Sequence, residues 1–236
     1  MPEYSVVIPT YKEAENIKIL IPQICNFFKE KNLDFEIIIV NDSPMDETQS
    51  IVKSFQEKYK NIILIQRARK TGIGSALREG YNSATGKFLL SMDADLAFRI
   101  EEIGKFLVEK QKGYDLVIGS KYLKDSTYTK NSFLAVFRGF ISEMGNIYMG
   151  AVTSIPIKDF TLNFRLIDKK LWKSINPIDD QNFFFVEMIV QAHKKNFKIK
   201  EIPISFLPRK FGKSKTKIWQ QTWKFFYKTT KILLYK

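Results

Sequence analysis

The 236-residue chain contains one cysteine and one histidine. A single Cys25 excludes an intramolecular disulfide framework and any multi-cysteine zinc or iron–sulfur centre. A single His193 excludes an imidazole-based metal cluster and leaves little room for a nucleophile–histidine triad. His193 stands in a polar run with Lys194 and Lys195 and is expected as an exposed helix residue; Cys25 lies in an apolar helical stretch and is expected in the core. Glycine (11) and proline (8) are too few for a collagen-like or low-complexity chain, and the 44% hydrophobic content excludes disorder. No run approaches about 18 consecutive apolar residues, so no transmembrane helix is read. The chain opens directly into the strand-like Tyr4–Ser5–Val6–Val7–Ile8–Pro9 instead of a charged start and an apolar stretch, so no cleaved signal is read either. The expected location is cytoplasmic. Any catalysis must run on carboxylates, Lys/Arg, hydroxyls or a hard metal ion.

Acidic residues are also scarce at one end. The net charge is +13, yet the first hundred residues are electrically balanced, whereas residues 191–236 hold 13 basic residues against Glu201 alone. A neutral half and a strongly basic tail call for different partners.

What is present is an alternation of strand and helix patterns. Apolar, β-branched runs occur at Ser5–Ile8, Phe35–Val40, Ile62–Ile65, Phe88–Met92 and Leu116–Ile118, with helical stretches at Glu13–Lys29, Thr48–Tyr59, Gly74–Ser83 and Ile100–Lys112. Runs that are apolar throughout predict strands buried on both faces, and the alternation predicts an α/β, doubly wound, mostly parallel sheet. The second half predicts a helix over Ser132–Met149, a strand or hairpin around Asp159–Ile167, a helix over Phe183–Asn196, a strand over Lys198–Phe206 and a loop over Leu207–Thr216. With no repeat or linker, residues 1–216 read as one domain followed by a separate tail.

In doubly wound folds ligands bind at the carboxyl ends of the strands. Those ends carry Pro9–Thr10–Tyr11–Lys12–Glu13, Asn41–Asp42–Ser43 with Asp46, and Asp93–Ala94–Asp95. Three acidic clusters on one sheet edge repel unless a cation lies between them. Asp93 and Asp95, on a rigid strand end, offer hard oxygens suited to Mg²⁺ or Mn²⁺ bridging a diphosphate. Gly72–Ile73–Gly74 lacks the third glycine of a dinucleotide fingerprint and the ending of a P-loop, so it reads as a glycine-assisted helix start.

Together, Pro9 to Ile17, Val40–Asn41–Asp42–Ser43, Lys70 to Gly74 and Met92–Asp93–Ala94–Asp95–Leu96 resemble the inverting family-2 glycosyltransferases of the GT-A fold. Val117 to Tyr122, Asp159 to Arg165 and Pro203–Ile204–Ser205–Phe206 followed by Arg209, Gly212, Ser214 and Lys215 are similar to dolichyl/polyprenyl-phosphate mannose synthases, and the likeness runs from about residue 4 to 215. The resemblance implies that Pro9, Tyr11, Glu13 and Asp42 hold the base and ribose of a nucleotide sugar. Asp93, Ala94 and Asp95 then take the metal and diphosphate. Lys121, Arg138, Ser142, Arg209 and Lys215 grip donor diphosphate or acceptor phosphate, with Asp93, Asp95, Arg138, Arg209 and Lys215 at the centre of the reaction. The chain departs from the family's usual pattern at Asn41 (commonly Asp), Ala97 (commonly Gln) and Lys121 (commonly Arg). Ala97 leaves one metal contact to water, and Lys121 lacks the bidentate fork of arginine.

The chemistry agrees with this. A lipid monophosphate has a second pKa of about 6, so at neutral pH it attacks without a general base. It needs cations that bind it and hold it in line, and no histidine. The implied activity is transfer of mannose from GDP-mannose to a polyprenyl or dolichyl phosphate. UDP-glucose-dependent or soluble-glycan transfer, and a non-catalytic membrane-surface adaptor, stand as alternatives.

On a helical wheel, residues 217–236 gather Lys217, Lys224, Lys228 and Lys231 opposite Trp219, Trp223, Phe225, Phe226 and Ile232–Leu234. The expected element is an amphipathic C-terminal helix lying in an anionic membrane interface, with packing on its own domain as the alternative. A membrane-anchoring partner is a further candidate. Nucleic acid is not an expected partner, because the acidic strand ends would repel phosphates.

Overall fold

The computed structural model describes residues 1–44, 46–129, 132–211 and 228–229. The first half winds as β1 (Tyr4–Thr10), α1 (Ala14–Glu30), β2 (Phe35–Asn41), α2 (Glu47–Lys58), β3 (Ile62–Gln66), α3 (Ile73–Ser83) and β4 (Phe88–Met92). After a 3-10 turn at Ile100–Glu102 come α4 (Ile103–Gln111), β5 (Leu116–Ser120), β6 (Thr127–Tyr128) and α5 (Phe133–Thr153). The chain continues with β7 (Phe164–Asp168), α6 (Lys169–Ser174), α7 (Phe183–Lys194), β8 (Ile199–Pro203) and β9 (Ser205–Phe206).

Seven strands form one sheet in the order β3-β2-β1-β4-β7-β5-β8, and β6 pairs with β9 in a small second sheet. All neighbours in the large sheet are parallel except β7, which runs against both β4 and β5. Alternate residues of each strand feed two separate apolar layers. Val6, Ile8, Ile37, Ile39 and Leu90 pack against α1, α2 and α4, while Val7, Ile38, Val40 and Leu89 pack against α3, α6 and α7. Both faces are therefore covered, as apolar-throughout strands require. Cys25 is buried in the first layer, and His193 is exposed in the last turn of α7, as expected.

Local bounds are sharpened at three places. Of the strand or hairpin expected around Asp159–Ile167 the strand is found: residues 159–163 form a loop, and β7 inserts between β4 and β5. The strand over Lys198–Phe206 splits at Ile204, its second piece joining the small sheet. The helix begun at Ser132 runs on to Thr153, with the Ser132 hydroxyl accepting from the Ala135 N–H at its start. Among the described residues no helix is long and apolar enough to cross a membrane. Lys215 and nearly all of 217–236 lie outside the described residues. Of that tail, Lys228 pairs with Asp179, and the buried Thr229 hydroxyl donates to Met149 Sδ at 3.2 Å.

Candidate active site

The parallel register of β1, β2 and β4 brings Thr10 level with Asn41 and Val7 level with Ser91, so the following loops emerge from one edge. The loops are tied together by short bonds. The Lys12 N–H donates to Ser43 Oγ at 2.7 Å, and the Glu13 N–H to Thr48 Oγ1 at 3.2 Å. Asn41 is wholly engaged in this lattice: its amide nitrogen donates to Gln66 Oε1 at 3.0 Å, and its Oδ1 accepts from Thr10 Oγ1 at 3.1 Å. Asp46 serves as the cap of α2, accepting from Thr48.

Asp42 is buried at the end of β2 and lies 3.1 Å from Arg67 Nε. Burial pushes its carboxyl up from the ordinary range; Arg67 and the backbone N–H groups of Thr71 and Gly72 oppose this. Gly72 makes the close approach possible, with φ of +134° and an Asp180 carbonyl only 2.1 Å from where a Cβ would stand. Nearby, Lys70 Nζ sits 4.3 Å from the Tyr11 ring centroid, a cation–π pair at the place implied for a nucleotide base. Arg67 was not a sequence candidate.

Asp93 and Asp95 crown β4. Asp93 is pushed up to about 7 by burial, then by the neighbouring charge of Asp95 and by Glu13, while Asn163 and Arg209 pull it down. Asp95 is raised by burial, against Arg209 and the Ala97 N–H, which donates to its Oδ1 at 3.1 Å. Arg209 Nε stands 2.9 Å from Asp95 Oδ2. Its loop is held by the Leu207 N–H, which donates to the Ala97 carbonyl at 2.9 Å. Ala97 thus supports the site through its backbone, where the family commonly has a Gln side chain.

Among the described residues no group of three or more His, Cys, Asp or Glu stands ready to hold a metal. The donor set is two carboxylates, Asp95 buried and Asp93 half-buried, whose negative charge is disfavoured where they lie. That fits a hard divalent ion such as Mg²⁺ or Mn²⁺, which takes one or two carboxylates and completes its shell with phosphate oxygens and water.

The phosphate candidates divide into separate groups. Arg209 joins the acidic pair. Arg138 and Ser142 lie half-buried on α5, Ser142 beside the Tyr122 hydroxyl. Lys121 Nζ is held 3.9 Å from Asp159 Oδ2 and between 5.2 and 5.5 Å from the centroids of Tyr122, Tyr128 and Phe206. The segment behind them is braced by Arg165, fully buried in β7. Its guanidinium donates to the carbonyls of Leu162, Phe160 and Phe185 at 2.9, 2.6 and 3.0 Å and stacks over the Phe185 ring.

Residues 5–175 match glycosyl transferase family 2. The chain belongs to that family. This family-2 chain is 33% identical over 219 residues to the dolichol-phosphate mannosyltransferase of Pyrococcus furiosus, a match covering 90% of the chain and 59% of that protein. It is 27% identical over 217 residues to a dolichyl-phosphate beta-glucosyltransferase of Trichomonas vaginalis, covering 86% and 65% respectively. The chain therefore spans less than two thirds of the length of either relative. In fold it is similar to the glucosyl-3-phosphoglycerate synthase of Mycobacterium tuberculosis solved with Mn²⁺, UDP and phosphoglyceric acid. The TM-score is 0.72 at 14% identity, over 97% of this chain and 78% of that one. The GT-A-like, mostly parallel sheet expected from the sequence is the fold found.

Proposed function

We propose that this family-2 member transfers a sugar from a nucleoside-diphosphate donor to a polyprenyl phosphate at a membrane surface. The observation that carries the reading is the Asp93–Asp95 pair at the end of β4, in a chain whose relatives are named for dolichyl-phosphate transfer over most of its length. A bound divalent ion would supply charge neutralisation at the departing diphosphate. Asp93 and Asp95 would hold that ion through their oxygens. Arg209, 2.9 Å from Asp95, is within reach of the same diphosphate, adding positive charge where negative charge develops. Tyr11, Glu13 and Asp42 would line the edge on which a nucleoside lies, with Pro9 near the end of β1 before it and Ala94 leaving room between the carboxylates.

On the acceptor side, Arg138 and Ser142 of α5 would receive the phosphate dianion, together with Lys121 just after β5. Direct attack by a phosphate oxygen inverts the anomeric centre and requires no general base. The same helix exposes Phe133, Phe137, Phe140, Met144 and Ile147, an apolar row favouring an acceptor with a hydrocarbon chain. Lys215 would add a further cation to the donor side, and the basic tail 217–236 a contact with anionic lipid. The cytoplasmic face of a membrane follows from that reading.

Mannose from GDP-mannose is the first donor proposed, on the likeness to the mannosyltransferase. UDP-glucose is the second, favoured by the beta-glucosyltransferase relative. The test incubates the protein with radiolabelled GDP-mannose or UDP-glucose, Mn²⁺ and a polyprenyl phosphate, and counts the lipid extract. Label in the lipid phase that disappears in Asp95→Ala supports the proposal. No label with any donor overturns it in favour of a non-catalytic membrane adaptor.

A further inference from the structure

β7 runs antiparallel to β4 in a register that pairs Met92 with Phe164. The residue following the first, Asp93, and the residue preceding the second, Asn163, therefore face each other at the sheet edge. Asn163 Nδ2 donates to Asp93 Oδ1 at 2.9 Å. Asn163 is buried, with 2% of its surface exposed, and its own Oδ1 is buried with no hydrogen-bond partner. A neutral amide placed so that only its donor is used orients a carboxylate without contributing charge.

The amide cannot easily turn away, because its loop is held from both sides. Asp159 Oδ1 accepts from the N–H groups of Thr161 and Leu162, each at 3.2 Å. From below, the Arg165 guanidinium holds the carbonyls of Phe160 and Leu162. A first ligand fixed by a hydrogen bond from a rigid outer group is the usual way a protein sharpens a metal site.

We infer that Asn163 is the positioning residue of the divalent-cation site: its amide fixes Asp93 Oδ1, leaving Oδ2 turned to the ion. This rests on the reading of Asp93 and Asp95 as metal ligands. The role separates metal binding from turnover. Losing the amide weakens the grip on the ion, while saturating ion restores most of the rate.

The experiment measures Mn²⁺ affinity by the free-ion electron paramagnetic resonance signal for the full chain, Asn163→Ala and Asn163→Leu, with Asp95→Asn as control. Leucine keeps asparagine's branched shape and removes both polar atoms of the amide, of which Oδ1 has no hydrogen-bond partner. Far-UV circular dichroism establishes which variants are folded. The expected result is a loss of Mn²⁺ affinity of about tenfold or more in each folded Asn163 variant. In the transfer assay, the Mn²⁺ concentration giving half-maximal rate rises correspondingly, with kcat at saturating Mn²⁺ within a few-fold of the parent. An unchanged Mn²⁺ affinity in either folded variant, with Asp95→Asn impaired, overturns the inference. Unchanged affinity in Asp95→Asn as well overturns the metal reading itself.

Discussion

Arg209 Nε lies 2.9 Å from Asp95 Oδ2, so a guanidinium from the chain's last described loop sits on one of the two carboxylates that crown β4. An arginine there offsets part of the charge that a divalent ion would neutralise. Ion and guanidinium would then compete for one oxygen, and a bound ion would free the arginine for the diphosphate.

The competition is measurable. Arg209→Gln is expected to tighten Mn²⁺ binding in the absence of nucleotide by about threefold or more, since a nearby positive charge is removed. The same change should lower sugar transfer. Weaker Mn²⁺ binding in this variant would show that Arg209 supports the carboxylates instead of competing for them.

Asp93 supplies a pH dependence. Its folded value of about 7 stands above the ordinary 3.8, so the native state keeps a proton that the unfolded chain gives up. The resulting stabilisation is complete below about pH 4 and is lost as pH rises through about 7. In EDTA, the Tm of the parent should therefore fall more steeply from pH 5 to pH 8 than that of Asp93→Asn. Adding Mn²⁺ at pH 8 should recover the difference. Parallel pH profiles for the two proteins would contradict the assignment.

Arg165 makes a separate, structural prediction. Arg165→Met removes three hydrogen bonds to buried carbonyls and should cost about 2–4 kcal/mol, read from urea unfolding. Arg165→Lys keeps the charge but lacks the planar fork, and should recover less than half of the loss. A smaller effect for methionine than for lysine would mean that desolvation of the charge outweighs its three bonds.

Gly72→Ala tests the turn that points two N–H groups at Asp42. A methyl there meets the Asp180 carbonyl at a φ that side chains avoid, costing about 1–3 kcal/mol. Nucleotide affinity, followed by equilibrium dialysis, should fall with it. Full stability and full affinity in the variant would remove the turn from the site.

Much of this was visible in the residues. Strands β1 to β5 follow from apolar runs of the right length, and the three acidic loops follow from where those runs stop. A strand within Asp159–Ile167 was legible, but not its antiparallel direction or the burial of Arg165 inside it. An arginine inside a strand reads as an exposed position until its three carbonyl partners are found. Asn163 lies in a motif singled out from the sequence, yet neither its role nor that of Arg67 could be read there. Each acts on a carboxylate far away in sequence, and only the strand register brings the pairs together. Lys121 was legible as a cation near the acceptor side, but its enclosure by three rings was not, since those rings come from separate elements.

The reversed direction of β7 has one more consequence. The chain leaves the sheet at Ser120, the end of β5, and re-enters at Phe164, the start of β7, on the same rim. Everything between, from Lys121 through α5 to Asn163, is an excursion whose two ends are anchored side by side. Its apolar residues Met149, Ile155, Ile157 and Phe160 fold back into the layer that covers Val7, Ile38 and Leu89, so the excursion and the sheet share one core. It is tied back to the strands where β6 pairs with β9, where Glu201 accepts from the N–H groups of Lys158 and Asp159, and where Asn163 touches Asp93.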